Sequence, residues 1–483
     1  MPENNDRNNF FSGFFWKFNE QITAQIVSFI VSIILARLLT PKDYGIVSLV
    51  NVFIVISEVF VTSGFSTSLI QKRKASRLDF STIFYCSLLF SILVYVVIYC
   101  MAPTIADFYN NNQLVSVLRI FALRLPISAF NSIQMAYVSR ELAFRKIFVS
   151  TSIATLLSGV LGIVMAYMGF GVWALVIQYI SSSVFQMIVL FLEIPWKPRL
   201  EFSWNSAKSL MGYGWKILVA SLLGTFFNEF RSLIIGKFYN AQSLAYYNRG
   251  SRFPELIGNN IDTTVSSVLF PVMSKYSNDM ERLKAMVRRS IKTTTYIIMP
   301  IMLGLAVAAK PITVILLTDK WLPSVPFMQC LCISGVFGSI SNANMQVVKA
   351  SGHSDVILKL ELIKKPIYFV LLLLAIRLDV LAVAVTMAIY NIIGTLINMA
   401  PNKRVINYSY KEQFRDVLPA MMLSIVMVIV VYPISLVDIP YFVMLLLEIG
   451  VGATVYIGLS FIFKLESYWY LLKYIKSRFG REN

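Results

Sequence analysis

Residues 80–102, FSTIFYCSLLFSILVYVVIYCMA, contain no charged side chain. An α-helix rises about 1.5 Å per residue and the hydrocarbon core of a bilayer is roughly 30 Å thick, so a stretch of this length and polarity reads as one membrane crossing. The same reading extends in both directions. Apolar blocks near 14–38, 42–65, 80–102, 114–138, 146–168 and 171–192 form a first group of six spans. A second six lies near 209–238, 243–273, 287–309, 325–350, 356–377 and 380–400, and two more near 414–436 and 440–463. A basic aromatic tail, Lys464 to Arg481, closes the chain with the spacing of an interfacial helix. The fold class is therefore all-α, a polytopic membrane protein of about fourteen transmembrane helices.

Composition excludes the alternatives. Of 483 residues 57% are hydrophobic and 14% charged, against roughly 45–50% and about 25% in soluble domains. Met1–Arg7 is polar and no small-residue cleavage site follows, so no removable signal peptide is expected. Cys86, Cys100, Cys330 and Cys332 sit in apolar runs without ligand spacing, and His353 lies in a polar loop. No metal centre, catalytic residue or cofactor is expected from them.

The net charge of +18 is explained by topology. Basic residues fill 72–77, 140–146, 197–208, 275–292, 349–365, 403–415 and the tail, while the loops around 103–113, 169–171 and 437–440 carry none. By the positive-inside rule both termini are cytoplasmic. The charge is then anchoring, not a nucleic-acid surface.

A weak internal repeat relates Arg37-Leu38-Leu39-Thr40 to Lys237-Phe238-Tyr239-Asn240 and Gly171-Val172-Trp173-Ala174-Leu175 to Asp379-Val380-Leu381-Ala382-Val383. Copies of six spans return the chain to the same side, which makes them parallel and related by an axis along the membrane normal. The expected division is a first lobe at 1–192, a cytoplasmic linker at 193–208, a second lobe at 209–400, two added helices at 401–463 and the tail at 464–483.

Charged groups inside these spans identify a candidate site. Arg119, Arg124, Lys216, Arg231, Arg249 and Arg252 fall within them, with Glu20, Glu58, Glu229, Glu255 and Asp262. Each charge facing lipid at mid-span costs about 2.5–3.5 kcal/mol, so six would cost on the order of 15–20 kcal/mol, and they need water, partners or ligand. Helical spacing gathers polar side chains into stripes: Gln21, Gln25, Ser28 and Ser32; Ser48, Asn51, Glu58 and Thr62; Arg124, Ser128, Asn131 and Gln134; Arg252, Glu255, Asn259 and Asp262; and Gly335, Gly338, Ser339, Asn342 and Gln346. One stripe alone reads as interhelical hydrogen bonding. Five stripes with a surplus of Arg and Lys predict a wet cationic cavity suited to an amphiphile with an anionic head. Arg119 and Lys216 are placed to snorkel toward an interface. Pro126, Pro254, Pro300 and Pro366 permit kinks.

The run Ala36-Arg37-Leu38-Leu39-Thr40-Pro41-Lys42-Asp43-Tyr44-Gly45, with Gly64-Phe65, Leu69-Ile70-Gln71-Lys72, Arg140-Glu141-Leu142-Ala143-Phe144-Arg145 and Gly169 to Val176, resembles the polysaccharide transporter family of the multidrug/oligosaccharidyl-lipid/polysaccharide (MOP) exporter superfamily. The resemblance covers nearly the whole chain. It implies two pseudo-symmetric six-helix lobes in a V-shape plus two extra C-terminal helices. It also implies a flippase of the bacterial inner membrane, moving a polyprenyl-pyrophosphate-linked oligosaccharide to the periplasmic leaflet by alternating access for lipopolysaccharide, capsule or exopolysaccharide synthesis. Arg124, Arg231, Arg249, Arg252, Lys216 and Arg119 are then the candidates for binding the pyrophosphate. Gln21, Gln25, Asn51, Ser128, Asn131, Asn259, Asn342 and Gln346 are candidates for lining the cavity, and Glu20, Glu58, Glu255 and Asp262 for coupling to protons or sodium. Expected partners are the lipid-linked oligosaccharide, membrane lipid and polysaccharide assembly proteins. The rival readings are a multidrug or cation antiporter of the same superfamily, which needs an acidic or aromatic cavity, and a membrane-embedded polymerase, ligase or glycosyltransferase, which needs a large extramembrane loop or an acidic metal site.

Overall fold

The computed structural model describes residues 25–72, 75–276 and 279–479, and every regular element among them is helical. Eleven segments are long and apolar enough to cross a membrane, so the chain is a multi-pass membrane protein. The three other expected spans are helical too. α1 is described over Gln25–Leu38; α10, Ala241–Lys275, and α14, Ser354–Ile376, have the length of a crossing but carry several charges each.

The chain forms two compact units, Met1–Ala245 and Tyr246–Asn483. In the first, α2 (Pro41–Thr62) starts where the sequence predicts. The Asp43 amide donates to Thr40 Oγ1 at 3.3 Å and the Thr40 amide to Asp43 Oδ2 at 3.0 Å, a reciprocal capping box with Pro41 in the first turn. α2 continues through Gly64 into the short α3, Phe65–Gln71. α4 is Arg77–Phe108, and the expected fourth span is two helices, α5 (Gln113–Phe121) and α6 (Arg124–Arg140). Pro126 has no amide hydrogen to donate to Ala122, and the turn there closes with tighter i−3 bonds, from Leu123 to Ile120 and from Leu125 to Ala122. Arg124 sits at that break. α7 (Phe144–Tyr167) and α8 (Val172–Glu193) form a hairpin whose turn needs positive φ at Gly169 and Gly171, 81° and 56°.

The segment expected as a linker at 193–208 is instead docked on the first unit. Ile194 and Trp196 are buried in its core. The amides of Arg199 and Ser203 donate to Ser81 Oγ and Thr82 Oγ1, and Ser206 Oγ donates to Asp79 at 2.7 Å. The following α9, Trp204–Phe238, packs along α2 in the same unit. A Cβ on Gly214 would come within 2.7 Å of the Gly64 carbonyl oxygen, and one on Gly64, which has φ 92°, within 2.5 Å of the Gly214 carbonyl oxygen. This contact, too close for side chains, helps fasten α9 to the first unit, which runs to Ala245.

The second unit contains α10 from Tyr246 onward, α11 (Met280–Val307), α12 (Ala309–Leu317), α13 (Val325–Ala350), α14, α15 (Val380–Val405), α16 (Tyr410–Val431), α17 (Tyr441–Ile462) and α18 (Glu466–Phe479). α16 and α17, the two helices added after the second six, share one hydrophobic core with α11 and α13 through Ile298, Met302, Met427, Val431 and Tyr456. An ionic network ties α11 to α16 and α18. Arg288 binds Asp416 through two bonds of 2.7 and 2.8 Å, Tyr408 donates to the same carboxylate at 2.8 Å, and Lys292 joins Asp416 to Glu466 of α18.

Candidate functional site

Each unit holds a polar cluster at membrane depth. In the first, Glu58 of α2, Arg124 and Ser128 of α6 and Ser183 of α8 meet. Arg124 Nε lies 3.1 Å from Glu58 Oε1 and 3.2 Å from Ser183 Oγ, and Ser128 Oγ donates to Glu58 Oε1 at 2.8 Å. Asn131 donates to the Ser183 carbonyl oxygen at 2.9 Å, further along α6. The Arg124 guanidinium lies 6.0 Å from the Tyr179 ring centroid. The ionic side chains keep 24% and 20% of their surface exposed, so the pair is not sealed. A guanidinium has five N–H donors, and both contacts use Nε. The terminal nitrogens retain the fork geometry that matches a phosphate.

In the second unit α10 and α13 are joined by a chain of side-chain bonds. Ser339 Oγ donates to Asp262 Oδ1 at 2.6 Å. Asn342 Nδ2 donates to Ser266 Oγ at 3.0 Å, and Gln346 Nε2 to Ser266 Oγ and Asn342 Oδ1, both at 2.9 Å. The opposite side of α13 is bonded to α15: Asn398 donates to Ser341 at 2.6 Å, Asn402 to Asn344 at 2.6 Å, and Asn391 to Ser334. α13 is thus held by polar contacts on two faces, which the small side chains along it allow.

The remaining candidates lie elsewhere. Arg119 stacks over Tyr99 at 4.2 Å and donates to its carbonyl oxygen at 3.2 Å, a contact between α5 and α4. Arg249 is buried with its guanidinium 5.0 Å from the Trp321 ring centroid. Lys216 is exposed on α9 and Arg231 half-buried on it; Arg252, Glu255 and Asn259 are exposed on α10; Gln25 and Asn51 are half-buried on α1 and α2. Glu20 and Gln21 lie outside the described residues. Within the units, then, the structure brings Arg124, Ser128, Asn131 and Glu58 together, and Asp262, Asn342 and Gln346 together.

Three groups escaped the sequence reading. Ser183 was legible as part of the Ser181-Ser182-Ser183 run in an apolar span, and Asn391, Asn398 and Asn402 as a stripe at i, i+7 and i+11. Glu448, an acid in an otherwise apolar span, was legible as an intramembrane charge.

A family model described as polysaccharide biosynthesis protein matches residues 34–326. The succinoglycan biosynthesis transport protein ExoT of Rhizobium meliloti is 22% identical over 300 residues, 62% of this chain and 61% of its own length. The lipopolysaccharide biosynthesis protein WzxC of Escherichia coli is 21% identical over 407 residues, 83% of each chain. Among solved structures, the lipid II flippase MurJ in an inward closed conformation superposes with a TM-score of 0.73 at 16% identity, covering 92% of this chain and 98% of that one. At that identity the likeness speaks for the fold. With the match spanning more than half of its length, the chain belongs to the polysaccharide biosynthesis protein family.

Proposed function

We propose that this protein is a flippase that carries a polyprenyl-pyrophosphate-linked oligosaccharide from the cytoplasmic to the periplasmic leaflet of a bacterial cytoplasmic membrane. It works by alternating access, with both termini cytoplasmic. The observation that carries this reading is Arg124, an intramembrane guanidinium held through one nitrogen by Glu58 and Ser183 and partly open to its surroundings. A pyrophosphate docks on the terminal nitrogens of Arg124 and competes with Glu58 for its charge, while the apolar chain stays in lipid. The relatives' names support the class of cargo: one is a transport protein for succinoglycan, one acts in lipopolysaccharide synthesis, and a lipid II flippase shares the fold. They also favour a transporter over an enzyme.

In this reading the ion pair supplies the coupling. A proton or sodium ion on Glu58 releases Arg124 to the ligand, and its departure returns Arg124 to Glu58. Asp262, held by Ser339, is the corresponding acid of the second unit. Polysaccharide assembly proteins take up the delivered repeat unit.

The test is made in the native host. Deleting the gene is expected to abolish the surface polymer and trap unpolymerised lipid-linked repeat units on the cytoplasmic leaflet, and the wild-type gene restores both. Normal polymer with altered sensitivity to cationic drugs overturns the reading in favour of an antiporter.

A further inference from the structure

Glu448 stands in the first half of α17 and is 4% exposed. Neither of its carboxyl oxygens has a hydrogen-bond partner among the described residues. It lines a cavity of about 490 Å³ walled by α11, α12, α16 and α17, with Ile257 from α10. The space exists because Gly304, Ala308, Gly452 and Ala453 bring almost no side chain to it. A Cβ on Gly452 would meet Val431 at 3.5 Å and Met427 at 3.7 Å, so any longer side chain there grows into the cavity.

The volume lies in the range of roughly 300–1,000 Å³ found for small-molecule sites, which are apolar with a few polar groups. Here the polar groups are few indeed. Besides Glu448, the one titratable residue on the described walls is Tyr456, whose hydroxyl is committed to the Tyr296 carbonyl oxygen at 2.8 Å. Among the described residues no Lys or Arg lines the cavity. A carboxylate in such a wall needs a counter-charge, and the described walls supply none.

We propose that this cavity binds a lipophilic organic cation, one positive centre on an apolar body, with the charge against Glu448 and the body against Pro300, Leu305, Met427 and Ile457. The site uses no residue of the Arg124 or Asp262 clusters, so it stands or falls separately from the transport reading.

The probe is tritiated tetraphenylphosphonium, with equilibrium binding to the purified full-length protein in lipid nanodiscs. Saturable binding is expected, weakening as the pH is lowered because protons compete for Glu448, and not displaced by excess dodecanol. Glu448→Gln is expected to weaken it about tenfold or more. Gly452→Leu, which fills the cavity and keeps the carboxylate, is expected to abolish it. Size exclusion and thermal melting establish that each variant is folded; if Glu448→Gln is not, the Gly452→Leu and pH measurements decide. The proposal is overturned by absence of saturable binding to the wild type, by wild-type affinity in the folded variants, or by displacement with dodecanol, which would make the cavity an acyl-chain pocket.

Discussion

Arg124 and Glu58 lie 66 positions apart in the numbering and 3.1 Å apart in space, and their pairing changes what each is able to do. In the proposed function Arg124 binds phosphate and Glu58 accepts a proton, and the observed pairing makes each mask the other. The sequence placed both on polar helical stripes, but spacing along one helix says which side chains share a face, not which face meets it. Hence Ser183, which closes the cluster from α8, was passed over. Removing either charge leaves the other without its partner, at a cost of about 1–3 kcal/mol for a pair that keeps some solvent contact. Arg124→Glu should therefore abolish flipping and also lower the melting temperature. The charge exchange Arg124→Glu with Glu58→Arg separates the two effects: melting should return to near the wild-type temperature while lipid-linked repeat units remain trapped, because the guanidinium now projects from α2 instead of α6. Export restored by the exchange would make the pair purely structural.

At the scale of the helix, the spans, the start of α2 and the α7–α8 turn were legible because local chemistry specifies them: apolar length, a Thr-Pro-Lys-Asp cap, a Gly-Phe-Gly turn. Contacts between distant helices were not. Nothing local in Gly64 or Gly214 announces that their backbones touch, yet that contact is part of what fastens α9 to the first unit. Gly64 also holds φ 92°, so Gly64→Ala meets both backbone strain and the Gly214 carbonyl; about 2–4 kcal/mol is expected, read as a lower melting temperature and reduced membrane yield. A Cβ on Gly212, by contrast, would meet nothing within 4 Å, and Gly212→Ala should be neutral or slightly stabilising. The Asp416 network follows the same logic. Asp416 and Arg288 are 128 positions apart, and Asp416→Asn, which leaves Arg288 without its carboxylate, should cost about 2–4 kcal/mol and loosen α16 from α11. Faster proteolysis in the loop between α15 and α16 would register that loosening; unchanged cleavage and melting would mean the network contributes nothing measurable.

Across the whole chain, the short matches read as an internal repeat fall at helix starts. Thr40 caps α2, and Asn240 caps α10 by accepting from the Ser243 amide at 2.7 Å. In the second pair Gly171 precedes α8 without a side-chain cap, whereas Asp379 caps α15 through the Ala382 amide. Capping residues persist in a diverged repeat because they satisfy amides that no other position can reach, whereas the apolar residues between them exchange freely. The same long-range regularity governs charge. Basic residues recur in every second loop, and a Lys or Arg beside a span resists transfer across the membrane during insertion. The rule therefore predicts 72–77, 140–146 and 403–415 on one side and 103–113, 169–171 and 437–440 on the other. Green fluorescent protein fused after residue 142 or 407 should fluoresce, and alkaline phosphatase fused after residue 110, 170 or 438 should be active; each reporter should be silent at the other set. Phosphatase activity at 142 would invert the topology and, with it, the direction in which Arg124 presents its ligand.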